Sequence, residues 1–177
     1  MSNSLTKLPA RDPDSDHVNV VVDTPKGSPN KYKYDEKSQI WRLSKILPLG
    51  SVFPFDFGFI PSTESEDGDP LDILVLTEEQ SFAGCVLPTI LIGVLEAEQT
   101  EKGNTVRNDR LIGVVETPHN PPPVRALDEL DDSRLREIEH FFISYNEVEG
   151  RKFKLLGRHG PERAIELLEA AFRNNLD

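Results

Sequence analysis

The stretch EDGDPLDILVL, residues 66–76, decides the fold and the chemistry of this chain. Its second half, LDILVL (71–76), is a short and nearly continuous apolar run, which is typical of a buried strand. Asp72 stands between two apolar residues in that run, where an unpaired carboxylate is costly because it loses its hydration. The run therefore predicts that Asp72 has either a hydrogen-bonding partner or a bound cation. Three aspartates fall within this stretch: Asp67, Asp69 and Asp72.

The close spacing of these carboxylates indicates which partner they take. Two carboxylates about 4 Å apart repel each other by roughly 4 kcal/mol at an effective dielectric constant near 20. A divalent cation removes that repulsion, and clustered carboxylate oxygens are ligands that suit Mg²⁺. An acidic surface turn that caps a strand is the alternative interpretation, and spacing does not separate the two.

Composition limits the remaining possibilities. The chain has 177 residues and is 37% hydrophobic, enough for one domain with its own core. A net charge of −11 disfavours nucleic acid and anionic membranes, so we expect neither as a partner. The single cysteine, Cys85, excludes an internal disulfide. Residues 1–16 lack an apolar segment and 85–95 is too short and broken to span a membrane, so we expect a cytoplasmic protein without a signal peptide.

The order of elements predicts the fold class. We expect a flexible arm over 1–16 and a single domain over 17–177. The domain opens with a run of short strands and ends with two helices, the first starting at Asp132 or Ser133 and the second at Gly160-Pro161. This order predicts an α+β domain with a small barrel or a strongly bent sheet. Predicted strands begin at His17 and cover 31–35, 39–45, 71–76, 85–98 and 105–116.

The acidic stretch resembles the signature of the family I soluble inorganic pyrophosphatases. DGDPLDILV (67–75) matches the pattern D-G/S/N-D-P-x-D-x-x-x, and the similarity extends from about His17 to Leu156. The resemblance implies a distorted five-stranded, OB-like β-barrel flanked by two C-terminal helices. It implies Mg²⁺-dependent hydrolysis of pyrophosphate to two phosphates by a metal-activated water, with Mn²⁺ as a second possible ion. It also implies a homo-oligomer, commonly a homohexamer in bacteria.

Residue roles follow from the same resemblance. Asp67 and Asp72 match metal ligands, and Asp69 matches the carboxylate beside the attacking water, a candidate general base. Asp23 falls on a glutamate of the family's first strand and joins the metal candidates with a side chain one methylene shorter. Four further residues match positions that bind the substrate phosphates and support catalysis, although two of them exchange lysine and arginine: Lys31, Lys45, Arg110 and Tyr145.

The chain departs from the family at its second metal-binding loop. The family has two aspartates five residues apart there, whereas this chain has Gln99 and Asn108 with about four extra residues between them. Asn108 and the adjacent Asp109 are the metal-ligand candidates at this loop. Asp109 would face the opposite way in a regular strand. Three acids nearby are possible substitutes if the loop rearranges: Glu98, Glu101 and Asp109.

Four further departures keep alternative functions open. Lys33 reverses the charge of a family glutamate, Phe53 and Phe57 lack the hydroxyls of family tyrosines, and Asn146 replaces a lysine. The first hypothesis is a Mg²⁺-dependent pyrophosphate hydrolase. One alternative is a catalytically weak protein of this fold that binds a phosphate-type ligand or a partner. Another is a hydrolase retuned to a different phosphate compound.

Overall fold

The computed structural model describes residues 4–66 and 68–174, so the predicted metal ligand Asp67 lies outside the described residues. The described chain contains nine strands and two α-helices. In chain order they are β1 Val18–Thr24, β2 Asn30–Asp35, β3 Ile40–Ile46, β4 Asp56–Ile60, β5 Leu71–Leu76, β6 Val86–Glu101, β7 Asn104–Arg107, β8 Arg110–Val115, α1 Asp132–Val148, β9 Lys152–His159 and α2 Pro161–Asn174.

Five strands form a ring. They follow the order β1-β4-β5-β8-β6, and β6 pairs again with β1 to close the circle. The β5–β8 pair is parallel, and the other four pairs of the ring are antiparallel. The five-stranded prediction is confirmed in this form. Strands β7 and β9 extend the sheet from β6, and β2 and β3 form the predicted separate hairpin.

The core lies on both faces of the sheet, which explains why β5 is apolar at successive positions. Ile73 and Val75 point into a cluster that also contains Leu168 of α2. Leu74 points the other way, into a cluster with Phe142 of α1. Because neighbouring side chains of a strand point to opposite faces, a strand covered on both sides needs an uninterrupted apolar run. The two predicted C-terminal helices therefore cover opposite faces of one sheet.

The strands of the structure differ from the predicted strands in number and position. The single strand expected over 105–116 is two strands, β7 and β8, separated at Asn108-Asp109. The break arises because the Asn108 N–H donates to the Ala97 carbonyl (2.9 Å) while the Ala97 N–H donates to Asp109 Oδ1 (2.9 Å). Two strands were not predicted: β4, and β9, which lies between the two helices in the sequence and pairs with β6.

The N-terminal segment makes contacts where we expected a loose arm. The Asn19 N–H donates to the Ala10 carbonyl at 2.8 Å, and Ala10 is buried. The Ser62 N–H donates to the Thr6 carbonyl at 2.8 Å. Residues 6–10 of this segment thus contact β1 and the turn after β4. Among the described residues, no helix is long and apolar enough to cross a membrane.

Candidate active site

A cleft of about 930 Å³ opens on one side of the ring. Its walls come from β1, β2, the loop before β5, the turn between β7 and β8, and α2. Most of the predicted site residues line this one cleft, although they come from distant parts of the sequence. They are Asp23, Lys31, Asp69, Asp72, Asn108, Asp109 and Arg110.

Strand geometry brings the central residues together. The register between β1 and β4 shifts between Val22 and Thr24, so Asp23 sits at an irregularity of the strand. Such bulges re-aim side chains and are frequent beside active sites. Parallel pairing of Ile73 with Leu111 brings the preceding residues, Asp72 and Arg110, to the same end of their strands.

Arg110 and Asp72 form the ion pair at the floor of the cleft. Arg110 Nη1 donates to Asp72 Oδ2, and the Arg110 side chain is only 10% exposed. The guanidinium carbon lies 5.8 Å from the centre of the Phe57 ring and 5.6 Å from that of Phe142. Arg110 Nε is buried without a hydrogen-bond partner. One donor of this arginine is therefore still unused.

Asp23 is the most perturbed acid of the site. Burial raises the pKa of Asp23 to about 7; the charge of Lys31 opposes this shift and that of Asp72 adds to it. Its Oδ1 is buried without a hydrogen-bond partner. Burial lowers the pKa of Lys31, but the Asp72 and Asp23 carboxylates outweigh that effect and leave the pKa raised. Lys31 is therefore held as a cation beside two acids.

This end of the cleft fits a divalent cation. A buried carboxylate oxygen without a partner, beside a second carboxylate, is a hard ligand that lacks its counter-charge. Asp23 and Asp72 supply these oxygens. Among the described residues, no group of three or more His, Cys, Asp or Glu side chains is arranged to hold a metal ion.

The raised pKa of Asp23 predicts a pH dependence of folding stability. Between its unfolded pKa of 3.8 and its folded pKa of about 7, the folded state binds a proton that the unfolded state has lost. Stability therefore falls as pH rises through this window. We expect Asp23→Asn to be more stable than the wild type in EDTA, by a margin that grows from pH 4 to pH 7 and then levels off. Thermal melting at several pH values measures the margin, and a margin independent of pH would contradict the expectation.

An aromatic wall backs the cleft. Lys31 Nζ lies 5.1 Å from the centre of the Phe57 ring and 5.7 Å from that of Tyr145. Lys45 pairs with Lys31 across the hairpin, and its Nζ lies 5.6 Å from the Tyr145 ring. The Tyr145 ring thus contacts both ammonium groups. Phe53 and Phe57 are buried core residues.

Lys45 and Tyr145 stand behind the cleft rather than on its surface. Neither is among the lining residues. Lys45 forms an ion pair with Glu149, and the Tyr145 hydroxyl is buried without a hydrogen-bond partner. Asn146, at the position of a family lysine, is buried and donates to the Phe142 carbonyl at 2.8 Å. Lys45, Tyr145 and Asn146 thus support the aromatic wall, which contacts Lys31.

Asp69 lies at the exposed mouth of the cleft. Its carboxylate is 3.1 Å from Lys33 Nζ, and both side chains are more than half exposed. An ion pair this exposed contributes little to stability. The charge reversal at Lys33 has therefore placed a cation directly beside the predicted general base.

The opposite end of the cleft is organised differently. Asn108 Nδ2 donates to Gln99 Oε1 at 2.6 Å, and Asp109 lies 2.9 Å from Arg107 Nη2. Glu96 also lines the cleft and accepts from Arg163 Nε at 2.7 Å. Sequence reasoning missed Glu96, Arg107 and Arg163, because no motif marks them; the pairing of β6 with β7 and the packing of α2 against β6 bring them together.

Comparisons with known proteins identify the fold. A model of the inorganic pyrophosphatase family matches residues 20–175. The inorganic pyrophosphatase of Methanosarcina acetivorans is 36% identical over 86% of this chain and 88% of its own length. The chain belongs to the inorganic pyrophosphatase family.

Solved structures of inorganic pyrophosphatases agree with this assignment. The enzyme from Thermus thermophilus matches with a TM-score of 0.89 at 33% identity, covering 98% of this chain and 99% of its own. That from Helicobacter pylori matches with a TM-score of 0.86 at 33% identity, covering 97% and 99%. The family I resemblance and the predicted OB-like fold are confirmed. Inorganic pyrophosphatases of this family are metal-dependent hydrolases.

Proposed function

We propose that this chain hydrolyses inorganic pyrophosphate to two phosphates with the help of Mg²⁺. The observation that carries the proposal is the convergence of Lys31 and Arg110 with Asp23 and Asp72 in one cleft of a pyrophosphatase fold. Cations bind the phosphates of such a substrate, and the carboxylates suit the divalent ion that accompanies them.

In this proposal, the role of each site residue follows from its position in or behind the cleft. Lys31 is held between two acids and two aromatic rings, so its ammonium is fixed and charged. Arg110 lines the same cleft, and in this proposal its guanidinium binds a phosphate oxygen. Asp69 lies at the mouth of the cleft, and in this proposal it accepts a proton from the attacking water. Lys45 and Tyr145 act in this proposal through Lys31, by fixing its position from behind.

Asp72 and Asp23 would hold the metal, and we propose that Asp67 completes their ligand set. A bound divalent ion supplies a lower pKa for the attacking water and screens the charge of the phosphates. Mg²⁺ suits these oxygen ligands, and Mn²⁺ is the natural substitute.

The proposal is tested by phosphate release from pyrophosphate, with two lysines of one hairpin as a matched pair. We expect Lys31→Gln to lower kcat/KM by about 10- to 100-fold, because it removes a charge-assisted hydrogen bond worth about 1.5–3 kcal/mol. Lys37 is exposed in the turn of the same hairpin and does not line the cleft. Lys37→Gln should therefore retain wild-type activity. No Mg²⁺-dependent release by the wild-type protein would refute the proposal.

A weak enzyme that mainly binds a phosphate compound is the second candidate function. The Gln99–Asn108 amide pair favours it, because a neutral pair stands where the family has two acids. Pyrophosphate that raises the melting temperature without being hydrolysed would select this alternative. Release from tripolyphosphate or a nucleoside triphosphate, but not from pyrophosphate, would select a retuned hydrolase.

We also propose that the chain forms a homo-oligomer, with the family's hexamer as the expected state. Large apolar side chains are exposed in and just after the β2–β3 hairpin, and an oligomer would cover them: Leu43, Ile46, Leu49 and Val52. Light scattering measures the particle mass directly, and a monomer at micromolar concentration would contradict this proposal. The cytoplasmic location and the exclusion of nucleic acid and membranes as partners stay predictions from the sequence.

A further inference from the structure

The two ends of the cleft differ in whether their polar side chains already have partners within the protein. At the end formed by β1 and β5, Asp23 Oδ1 is buried without a partner. At the end formed by β6, β7 and β8, called here the amide end, the central contact is the 2.6 Å hydrogen bond from Asn108 Nδ2 to Gln99 Oε1. We infer that this chain binds divalent cations at the β1–β5 end only, and that the amide end is closed to them.

The amide pair removes charge from the amide end. Each amide replaces a potential carboxylate with a neutral group, so neither residue offsets the charge of a divalent ion. The pair is built by the β6–β7 hairpin, whose turn has positive φ at Lys102 (51°) and Gly103 (82°). That hairpin pairs Gln99 with Val106, which brings Gln99 within reach of Asn108 just beyond. The extra residues between the two amides therefore form this hairpin.

The Asp109 carboxylate already has a structural role. Its Oδ1 accepts from the Ala97 N–H at 2.9 Å and lies 2.9 Å from Arg107 Nη2. The register of β6 against β9 shifts between Glu96 and Ala97, and the Asp109 carboxylate provides the acceptor for the Ala97 N–H. Moving Asp109 to a metal would leave the Ala97 N–H without its acceptor and Arg107 with Glu96 as its remaining partner.

Glu96 is the second acid at the amide end, and it is enclosed by basic side chains. It lies 2.7 Å from Arg163 Nε, 3.3 Å from Arg107 Nη2 and 3.5 Å from His159 Nε2. Burial raises the pKa of Glu96, but hydrogen bonds from Arg163 and Arg107 outweigh this and leave the pKa lowered. Its charge is thus already neutralised within the protein.

Glu98 and Glu101, the two remaining acids that could replace the family's metal ligands, also form ion pairs. Glu98 lies 3.0 Å from Lys154 Nζ, and Glu101 lies 3.1 Å from Arg151 Nε. These pairs are more exposed and weaker than those of Glu96 and Asp109. They point to β9 and its preceding turn, away from the cleft, since neither glutamate lines it. Each acid of the described amide end therefore has a basic partner in the chain itself.

The test counts bound Mn²⁺ on the metal-free protein by the EPR signal of free Mn²⁺, without pyrophosphate. We expect Gln99→Ala/Asn108→Ala to bind the same number of ions as the wild type, with Kd changed by less than about twofold. We expect Gln99→Asp/Asn108→Asp to bind one additional Mn²⁺ per chain, because two carboxylates restore oxygen ligands and charge. A lost ion in the alanine variant, or an unchanged count in a folded aspartate variant, would overturn the inference.

Two controls keep the test decisive. Circular dichroism and melting confirm that each variant folds, and the single change Asn108→Asp replaces the double variant if that does not fold. The inference rests on the proposed metal-dependent function, but the experiment distinguishes a failure of that function from a failure of the closure of the amide end. If the wild type binds no Mn²⁺, the proposed metal function and the β1–β5 half of the inference both fail, whereas a gained ion in the aspartate variant still supports the closure of the amide end.

Discussion

Asp72→Asn is expected to lower kcat/KM for pyrophosphate by about 100- to 1000-fold, equivalent to about 3–4 kcal/mol of transition-state stabilisation. The reason is that one carboxylate acts on three neighbouring side chains. Asp72 is bonded to Arg110, and its charge acts on both Asp23 and Lys31. The amide keeps the shape of the side chain but removes the charge that organises all three neighbours. Steady-state phosphate release at saturating and limiting Mg²⁺ measures the loss.

The control for this variant is an aspartate outside the cleft. Asp16 is exposed and does not line the site, so Asp16→Asn should keep wild-type activity. Loss of the ion pair also leaves Arg110 buried without its carboxylate, which destabilises the protein. Activity must therefore be measured well below the melting temperature of the variant. Wild-type turnover by folded Asp72→Asn would exclude the proposed role of this residue.

Gly58→Ala is expected to cause the largest loss of stability, about 3 kcal/mol, which corresponds to a fall in melting temperature of roughly 6–12 °C. Gly58 pairs with Val22 where β4 crosses β1. A Cβ at this position would lie 2.2 Å from the Val21 carbonyl oxygen and 2.9 Å from its carbon. These are backbone atoms, so no side-chain rotation relieves the overlap. The two strands must separate, and the ring opens beside Asp23.

A second glycine separates this steric effect from the general cost of replacing glycine. At Gly160, an added Cβ would meet only Glu162 Oε2, at 3.2 Å, and that atom is the end of a flexible side chain. Gly160→Ala should therefore cost about 1 kcal/mol or less. Thermal melting of both variants side by side gives the comparison. Equal losses would show that the close approach of β1 and β4 is not the cause.

The acidic signature made much of the site predictable. Its nine residues, 67–75, set Asp69 just before, and Asp72 within, a strand that is buried on both faces. Local periodicity located β5, the β2–β3 hairpin and both helices. These features depend on neighbouring residues in the chain, and sequence patterns report such dependence well.

The features that escaped prediction depend on contacts between distant segments. Strand β9 has a weak apolar alternation and forms because β6 offers it an edge. The break at Asn108-Asp109 follows from the bonds that these residues make to Ala97. Likewise, the ion pair of Lys45 with Glu149 places Lys45 behind the wall, although its position in the sequence matches a phosphate ligand.

Strand β6 has a consequence for how the chain folds. Its 16 residues pair with β1, β7, β8 and β9, so its partners come from both before and after it in the sequence. Val18 pairs with Thr89, and Val94 pairs with His159. Contacts between residues so far apart slow folding, because long loops must close before the contacts form. During synthesis β6 has an unsatisfied edge until β9 has left the ribosome. For the same reason, its central amides exchange with solvent only when the whole ring opens.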